Sequence, residues 1–324
     1  MGKLSQILFL TASAGRVFAS CAYGTHLMPR AEEGETIPVA TFGYTGVTGP
    51  LNWAALDSPA NNVCATGTTQ SPIDMVDSVF DLIDASALSI EVNDMPNGAD
   101  FENLGSTVEV ITQGGTLSFD DKTFELQQFH FHLPSEHLDN GTSQAMEMHM
   151  VWQSAEGEIA VIGAYINIAT GEVASASVKR GLNTRSRLFQ RQAEANETAP
   201  VAGTGAPTVL LETIFSVVDQ ISTPGTKVKT PPLVMSEVVD LLKAGQFQAY
   251  SGSLTTPPCS EGVNWRVSTS KLNISPSSFI KARDVIGFNS RFPQNTPGQP
   301  NILMISALGS AAAAVSVAGA GGAA

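Results

Sequence analysis

His130, His132 and His149 are the residues of this 324-residue sequence whose type and spacing point most directly to chemistry. Side chains on a β-strand alternate between faces, so His130 and His132 project together from one side with Gln128 beside them, while Phe129 and Phe131 point the other way, into a core. The next stretch, LPSEHLDNGT, carries the turn formers Pro134, Asn140 and Gly141, and MEMHMVW then resumes the alternation. This pattern predicts an antiparallel partner strand that brings His149 across from the first pair. Three neutral imidazoles with no cysteine nearby are the donor set of a catalytic zinc ion, because a structural site would normally close with a fourth protein ligand. An ion held this way lowers the pKa of its water to about 7 and so makes a nucleophile available at neutral pH. The ligand rings also need acceptors that fix their tautomers, and Gln128 and Glu147, each two residues before a candidate ligand, stand on the right strand faces. Glu136 and His137 remain for a further shell. A lone strand histidine is usually only a half-buried residue; the third histidine and the same-face amide and carboxylate carry the metal reading.

The elements that must position these residues follow from periodicity. From Leu88 onward LSIEV, STVEVIT, TLSFDDKTFELQQFHFHL, AMEMHMVWQ and IAVIGAYINI read as strands of one sheet, with turns at Asn97-Gly98 and Gly114-Gly115. Residues 41–80 are turn-rich and form an arm over the core, anchored by Tyr44 and Trp53. VLLETIFSVVDQI and SEVVDLL have the apolar spacing of short helices, the second with Ser236 as its N-cap. With 29 glycines and 18 prolines between short β-branched runs, the chain is mainly β with short helices. Residues 179–207 are poor in core residues and read as an exposed insertion, with Lys179-Arg180 a candidate processing site.

A net charge of −13, from 30 acidic and 17 basic residues, argues against nucleic-acid binding and suits a secreted or extracellular setting. Residues 1–22 read as a signal peptide and 23–40 as a presegment or flexible N-terminus. Cys21 falls in the cleavage region, which leaves Cys64 and Cys259 as a pair expected to be bridged in an oxidising compartment. Sequons at Asn140, Asn196 and Asn273 agree with that compartment and mark the chain as a candidate glycoprotein. The tail, 302–324, reads either as a lipid-anchor signal, which would tether the protein to a membrane at the cell surface, or as a disordered tail. The sequence leaves oligomeric state open.

One further stretch could do chemistry: Tyr250-Ser-Gly-Ser-Leu-Thr-Thr-Pro-Pro-Cys-Ser-Glu261. Its prolines force a kinked, extended loop. Read by itself, the loop is either a plain turn or a platform holding a hydroxyl that accepts one hydrogen bond while giving another. Taken with QFHFHLPSEH, MEMHMVW, QSPID at Gln70–Asp74 and IAVIGAY at Ile159–Tyr165, this stretch resembles the α-class carbonic anhydrases of the secreted fungal or bacterial type, over residues 41–301.

The resemblance implies a single domain around a large, mostly antiparallel twisted central sheet. It also implies reversible hydration of carbon dioxide to bicarbonate and a proton by zinc-bound hydroxide. In that reading His130, His132 and His149 hold Zn2+, backed by Gln128 and Glu147. Thr255 is the gatekeeper hydroxyl that donates to a buried Glu136. Val151, Val161, Leu254, Val263 and Trp265 form the apolar wall for carbon dioxide, and Thr256 lines the bicarbonate side. Tyr44 belongs to the solvent network, His137 is structural, and Cys64–Cys259 is the family's disulfide. The shuttle histidine is missing: its position is taken by Ala99 in Asn97-Gly98-Ala99-Asp100-Phe101, with Asp100 and Glu102 as substitute relays. Proton export should therefore be slow, and a histidine restored at 99 should speed it. The rival readings are a catalytically silent secreted zinc-binding or adhesion module on the same fold, and a generic zinc hydrolase, against which the apolar wall argues.

Overall fold

The computed structural model describes residues 37–307 apart from 78, 81, 113 and 171–204. The signal peptide, Asn196, residues 179–204 of the insertion and the tail beyond 307 lie outside the described residues. In chain order the strands are β1 (Asp74–Met75), β2 (Leu82–Asp84), β3 (Ser89–Glu91), β4 (Asp100–Asn103), β5 (Val108–Ile111), β6 (Thr116–Phe119) and β7 (Lys122–His132). They continue with β8 (Leu138–Asp139), β9 (Met146–Ser154), β10 (Ile159–Ile168), β11 (Lys227–Lys229), β12 (Gln246–Ser253) and β13 (Glu261–Ile274). The helices are α1 (Trp53–Leu56), α2 (Val63–Thr66), α3 (Val209–Phe215), α4 (Ser236–Lys243) and α5 (Pro276–Ile286).

Eleven strands form one mixed sheet whose main path runs β11-β4-β5-β7-β9-β10-β13-β12-β2, with β3 and β6 attached through β7. Within it every pairing is antiparallel except β10 with β13. The period of two decides what each face becomes. Phe129 and Phe131 of β7 and Met148, Met150 and Trp152 of β9 pack on one side with Leu210, Leu211, Ile214 and Phe215 of α3 and Val238 and Leu242 of α4. The residues between them face the other side, where a smaller cluster joins Val151, Val161, Tyr165, Tyr250, Leu254, Val263, Trp265 and Val267. The arm over residues 41–80 contributes a third cluster of Phe42, Trp53, Cys64 and Cys259, with Tyr44 against it.

Two local expectations change. Ser236 is the first helical residue of α4, not its cap; the cap position is Met235, and its N–H and that of Ser236 both donate to Asp94 Oδ1, at 2.7 and 3.1 Å. A carboxylate from across the fold satisfies the helix's orphan donors, so no local cap is needed. Conversely α5 carries a regular N-terminus, with Ser275 Oγ accepting from Ser278 N and Pro276 at the first position, inside a stretch noted above only as a sequon.

Candidate active site

The hairpin of β7 and β9 places His130 directly opposite His149, and His132 opposite Glu147. All three histidines are buried, and one nitrogen of each lies within 4.8 Å of the others. Their remaining nitrogens are occupied. His130 Nδ1 meets Gln128 Oε1 at 2.9 Å, His132 Nδ1 meets the Asn289 main-chain oxygen at 2.8 Å, and His149 Nε2 meets Glu147 Oε1 at 2.8 Å. Each partner atom is an acceptor, so each ring carries its proton on that side and turns a lone pair inward. Burial, then repulsion from the neighbouring rings, pushes His130 well below its ordinary pKa, and burial likewise takes His132 down to about 3. His132 Nε2 is buried with no hydrogen-bond partner. Three unprotonated nitrogens converging in a buried site fit a divalent cation of the zinc type.

Glu147 organises the ring behind the ligands. Its Oε1 accepts from His137 Nδ1 at 2.7 Å as well as from His149, and its Oε2 accepts the main-chain N–H groups of Glu136 and His137. Burial alone would raise this carboxyl, but His137 and His149 outweigh it and hold it well below the usual range, so it stays ionised. Gly163, opposite His149 on β10, leaves room for it: a Cβ there would stand 3.0 Å from Glu147 Oε1. From His137 a chain of hydrogen bonds runs on through the Tyr250 hydroxyl at 2.7 Å to Ser71 at 2.8 Å.

Glu136, 1 % exposed, accepts Arg291 N–H on Oε1 at 2.8 Å. Its Oε2 stands 3.5 Å from His132 Nε2 and 4.0 Å from His149 Nδ1. Burial raises the carboxyl to about 7, against the opposing pull of His149, the Arg291 N–H and the Thr255 hydroxyl. Tyr44 Oη is buried nearby without a partner, and its pKa is raised by burial and by Glu136. The loop after β12 thus brings Thr255 to Glu136. Leu254, from the same loop, joins Val151, Val161, Val263 and Trp265 in one cluster, in which Val161 is the register partner of both Val151 and Trp265. The Trp265 ring lies 4.8 Å from that of His149, centroid to centroid, so the apolar wall begins at the ligands themselves. Thr256 is half-buried, and its carbonyl accepts from Cys259 N at 2.8 Å. Cys259 is bridged to Cys64, which ties the loop to the arm.

Sequence profiles and structural likeness agree with this geometry. The profile of the eukaryotic-type carbonic anhydrases matches residues 48–296. The chain belongs to that family. A carbonic anhydrase of Nostoc sp. is 33% identical over 262 residues, covering 80% of this chain and 82% of that protein. Another carbonic anhydrase, from Neisseria gonorrhoeae, is 28% identical over 92% of this chain and 93% of its own length. Among solved structures, the fungal α-carbonic anhydrase of Aspergillus oryzae superposes with a TM-score of 0.69 at 33% identity, covering 82% of this chain and 98% of that one.

Measured against the α-carbonic anhydrase expectations, two positions stand differently from the way the sequence suggested. Ala99, 1 % exposed, belongs to the helix-side cluster, and its N–H donates to Thr230 Oγ1 at 2.9 Å. A side chain larger than alanine at 99 would have to be accommodated within that packed cluster. Asn140 is exposed in a turn, whereas Asn273 sits half-buried within β13 with its Oδ1 buried and unpartnered, so the two sequons differ in access. Two residues went unnoticed in the sequence: Asn289, the acceptor for His132, and Arg291, which reaches Glu136. They lie in an irregular segment more than 150 residues beyond the side chains they touch, and no periodicity marks them.

Proposed function

We propose that the protein catalyses the reversible hydration of carbon dioxide to bicarbonate and a proton, with Zn2+ held by His130, His132 and His149. The observation that carries this reading is the convergence of three proton-free imidazole nitrogens beside an apolar wall. When bound, the ion supplies a nucleophile by bringing the pKa of coordinated water to about 7. The chain's own residues do the rest. Glu136 has one oxygen committed to Arg291, and its other oxygen, buried without a hydrogen-bond partner, is there to accept from the Thr255 hydroxyl, which already lowers the carboxyl's pKa. With its O–H donating to the Glu136 carboxylate, Thr255 offers only lone pairs towards the metal side, so it selects one orientation of the attacking oxygen. Val151, Val161, Leu254, Val263 and Trp265 give a nonpolar substrate a place that water does not compete for, and half-buried Thr256 faces the polar product.

Each turnover leaves one proton to export, and no histidine outside the ligand group and His137 occurs among the described residues. Of the two carboxylates that could take its place, Asp100 is engaged by Lys227 and Lys229, each at 3.5 Å. Glu102 is buried opposite Glu109, which in turn lies opposite His130, so it is the better placed of the two. Turnover should therefore be limited by buffer and rise with added imidazole. A secretory route is supported by the buried Cys64–Cys259 bridge and the exposed Asn140.

The test is metal content together with carbon dioxide hydration at several buffer concentrations, with and without chelator. One zinc per chain and chelator-sensitive hydration that climbs with imidazole are expected. Hydration that ignores chelator would overturn the reading, and a zinc-loaded protein without hydration would favour the silent module.

A further inference from the structure

Two site groups that face the metal position from different directions, His132 and Glu136, are held by a single three-residue strap, 289–291. Asn289 is 1 % exposed and uses every polar group it has. Its N–H donates to Leu133 O at 3.0 Å, and its carbonyl accepts from His132 Nδ1 at 2.8 Å. Its Oδ1 accepts from Leu133 N at 2.6 Å, and its Nδ2 donates to Phe131 O at 2.9 Å and Ser106 O at 3.1 Å. Next in line, the Ser290 hydroxyl donates to Pro134 O. Arg291 N–H then holds Glu136, while the guanidinium is fixed by Ser71 O at 2.7 Å, Gln70 Oε1 at 2.9 Å and Cys64 O at 3.1 Å.

We infer that the Asn289 side-chain amide is the positioning device of the metal site: by clamping the end of β7 to its own backbone, it fixes the carbonyl that dictates the His132 tautomer. The physical reason is a near-degeneracy. A neutral imidazole can carry its proton on either nitrogen, and only its surroundings choose. A fixed carbonyl can only accept, so it demands the proton on Nδ1 and leaves Nε2 as the ligand atom. Local strand pairing cannot hold that carbonyl, because β7 ends at His132 and Asn289 belongs to no strand. The clamp depends on the side chain, since an Nδ2 that donates twice and an Oδ1 that accepts replace the missing ladder. Arg291 anchors the far end of the strap to the arm and to the residue bearing the disulfide, so a shift in the strap would move His132 and Glu136 together.

The inference rests on the zinc reading above, and its test is chosen to fail separately from it. Wild type, Asn289→Ala, Asn289→Asp and Leu242→Ala are loaded with zinc as full chains and mixed with excess chromophoric chelator, with melting temperatures measured alongside. Leu242 is buried in the helix-side cluster and serves as the control for lost stability alone. Asn289→Ala should release zinc about 10- to 100-fold faster than Leu242→Ala, beyond what their melting temperatures account for. Asn289→Asp keeps the acceptor for Leu133 N but sets a carboxylate against two carbonyls, and should also release faster than the control. In the metal-free proteins, nitrogen-15 imidazole spectra should show His132 as a single Nδ1–H tautomer in wild type and as a mixture in both Asn289 variants. Release rates that follow melting temperature alone, with an unchanged His132 tautomer, would overturn the inference. If Asn289→Ala does not fold, Asn289→Asp carries the same comparison. If wild type takes up no zinc, the functional reading fails, and the tautomer spectra still decide this one.

Discussion

The two faces of the β7–β9 hairpin are built from alternate residues of the same strands and follow opposite rules. On the helix side, Phe131 and Met148 are register partners in a cluster made of apolar side chains, where Trp152 Nε1 is buried without a partner. On the other side, one residue along, His130 pairs with His149, and unpartnered buried atoms gather: Gln128 Nε2, His132 Nε2, Glu136 Oε2 and Tyr44 Oη. A buried polar atom left without a partner costs on the order of 1–3 kcal/mol. For His132 Nε2 the missing partner would be a metal ion, and the helix side supplies the packing that sustains the cost.

Substitutions one residue apart should separate the two faces. His149→Ala should remove the metal and reduce carbon dioxide hydration to the uncatalysed background, measured by metal analysis and stopped-flow assay, while the chain stays folded. Thr255→Ala should keep its zinc yet lose on the order of 10²- to 10³-fold in kcat/KM, as expected when one preorganised hydrogen-bonding group is removed. Met148→Ala, beside His149 in sequence, should do the reverse. It should cost about 2–5 kcal/mol in denaturant unfolding and leave zinc stoichiometry at one.

A smaller effect sharpens the contrast through pH. Burial keeps His130 and His132 neutral in the metal-free fold, His132 with a pKa of about 3 against an ordinary 6.5, so the unfolded chain binds more protons over that interval. Stability should therefore fall as the pH drops below about 6.5. Glu136 acts in the opposite sense: raised to about 7 from 4.5, it holds a proton in the folded state across that window and contributes stability that is lost as pH rises through 7. Glu136→Gln should thus steepen the acid-side loss, readable as melting temperature against pH. Zinc loading should steepen the acid-side loss of the wild type, because protons compete with the ion for the same imidazole nitrogens.

Much of this arrangement was legible in the sequence because it is written with period two. The alternation in QQFHFH and MEMHMVW is enough to set ligands on one face and core on the other, and to place Gln128 and Glu147 behind their rings. Hidden were the contributions that depend on residues far apart in the chain. Asp94 caps α4, Asn289 and Arg291 arrive from beyond α5, and Gly163 yields space to Glu147 only because β10 lies beside β9. Ala99 shows the converse limit: a motif match located the position, but its burial in the helix-side cluster was not written in the motif.

The central claim, three imidazoles on one metal ion with one position left to solvent, is tested most directly by X-ray absorption at the zinc edge of the purified protein, with and without a small inhibitory anion. The account predicts three histidine nitrogens and one light ligand that the anion replaces. A sulfur or a fourth protein nitrogen in the shell, or a spectrum the anion does not change, would contradict it.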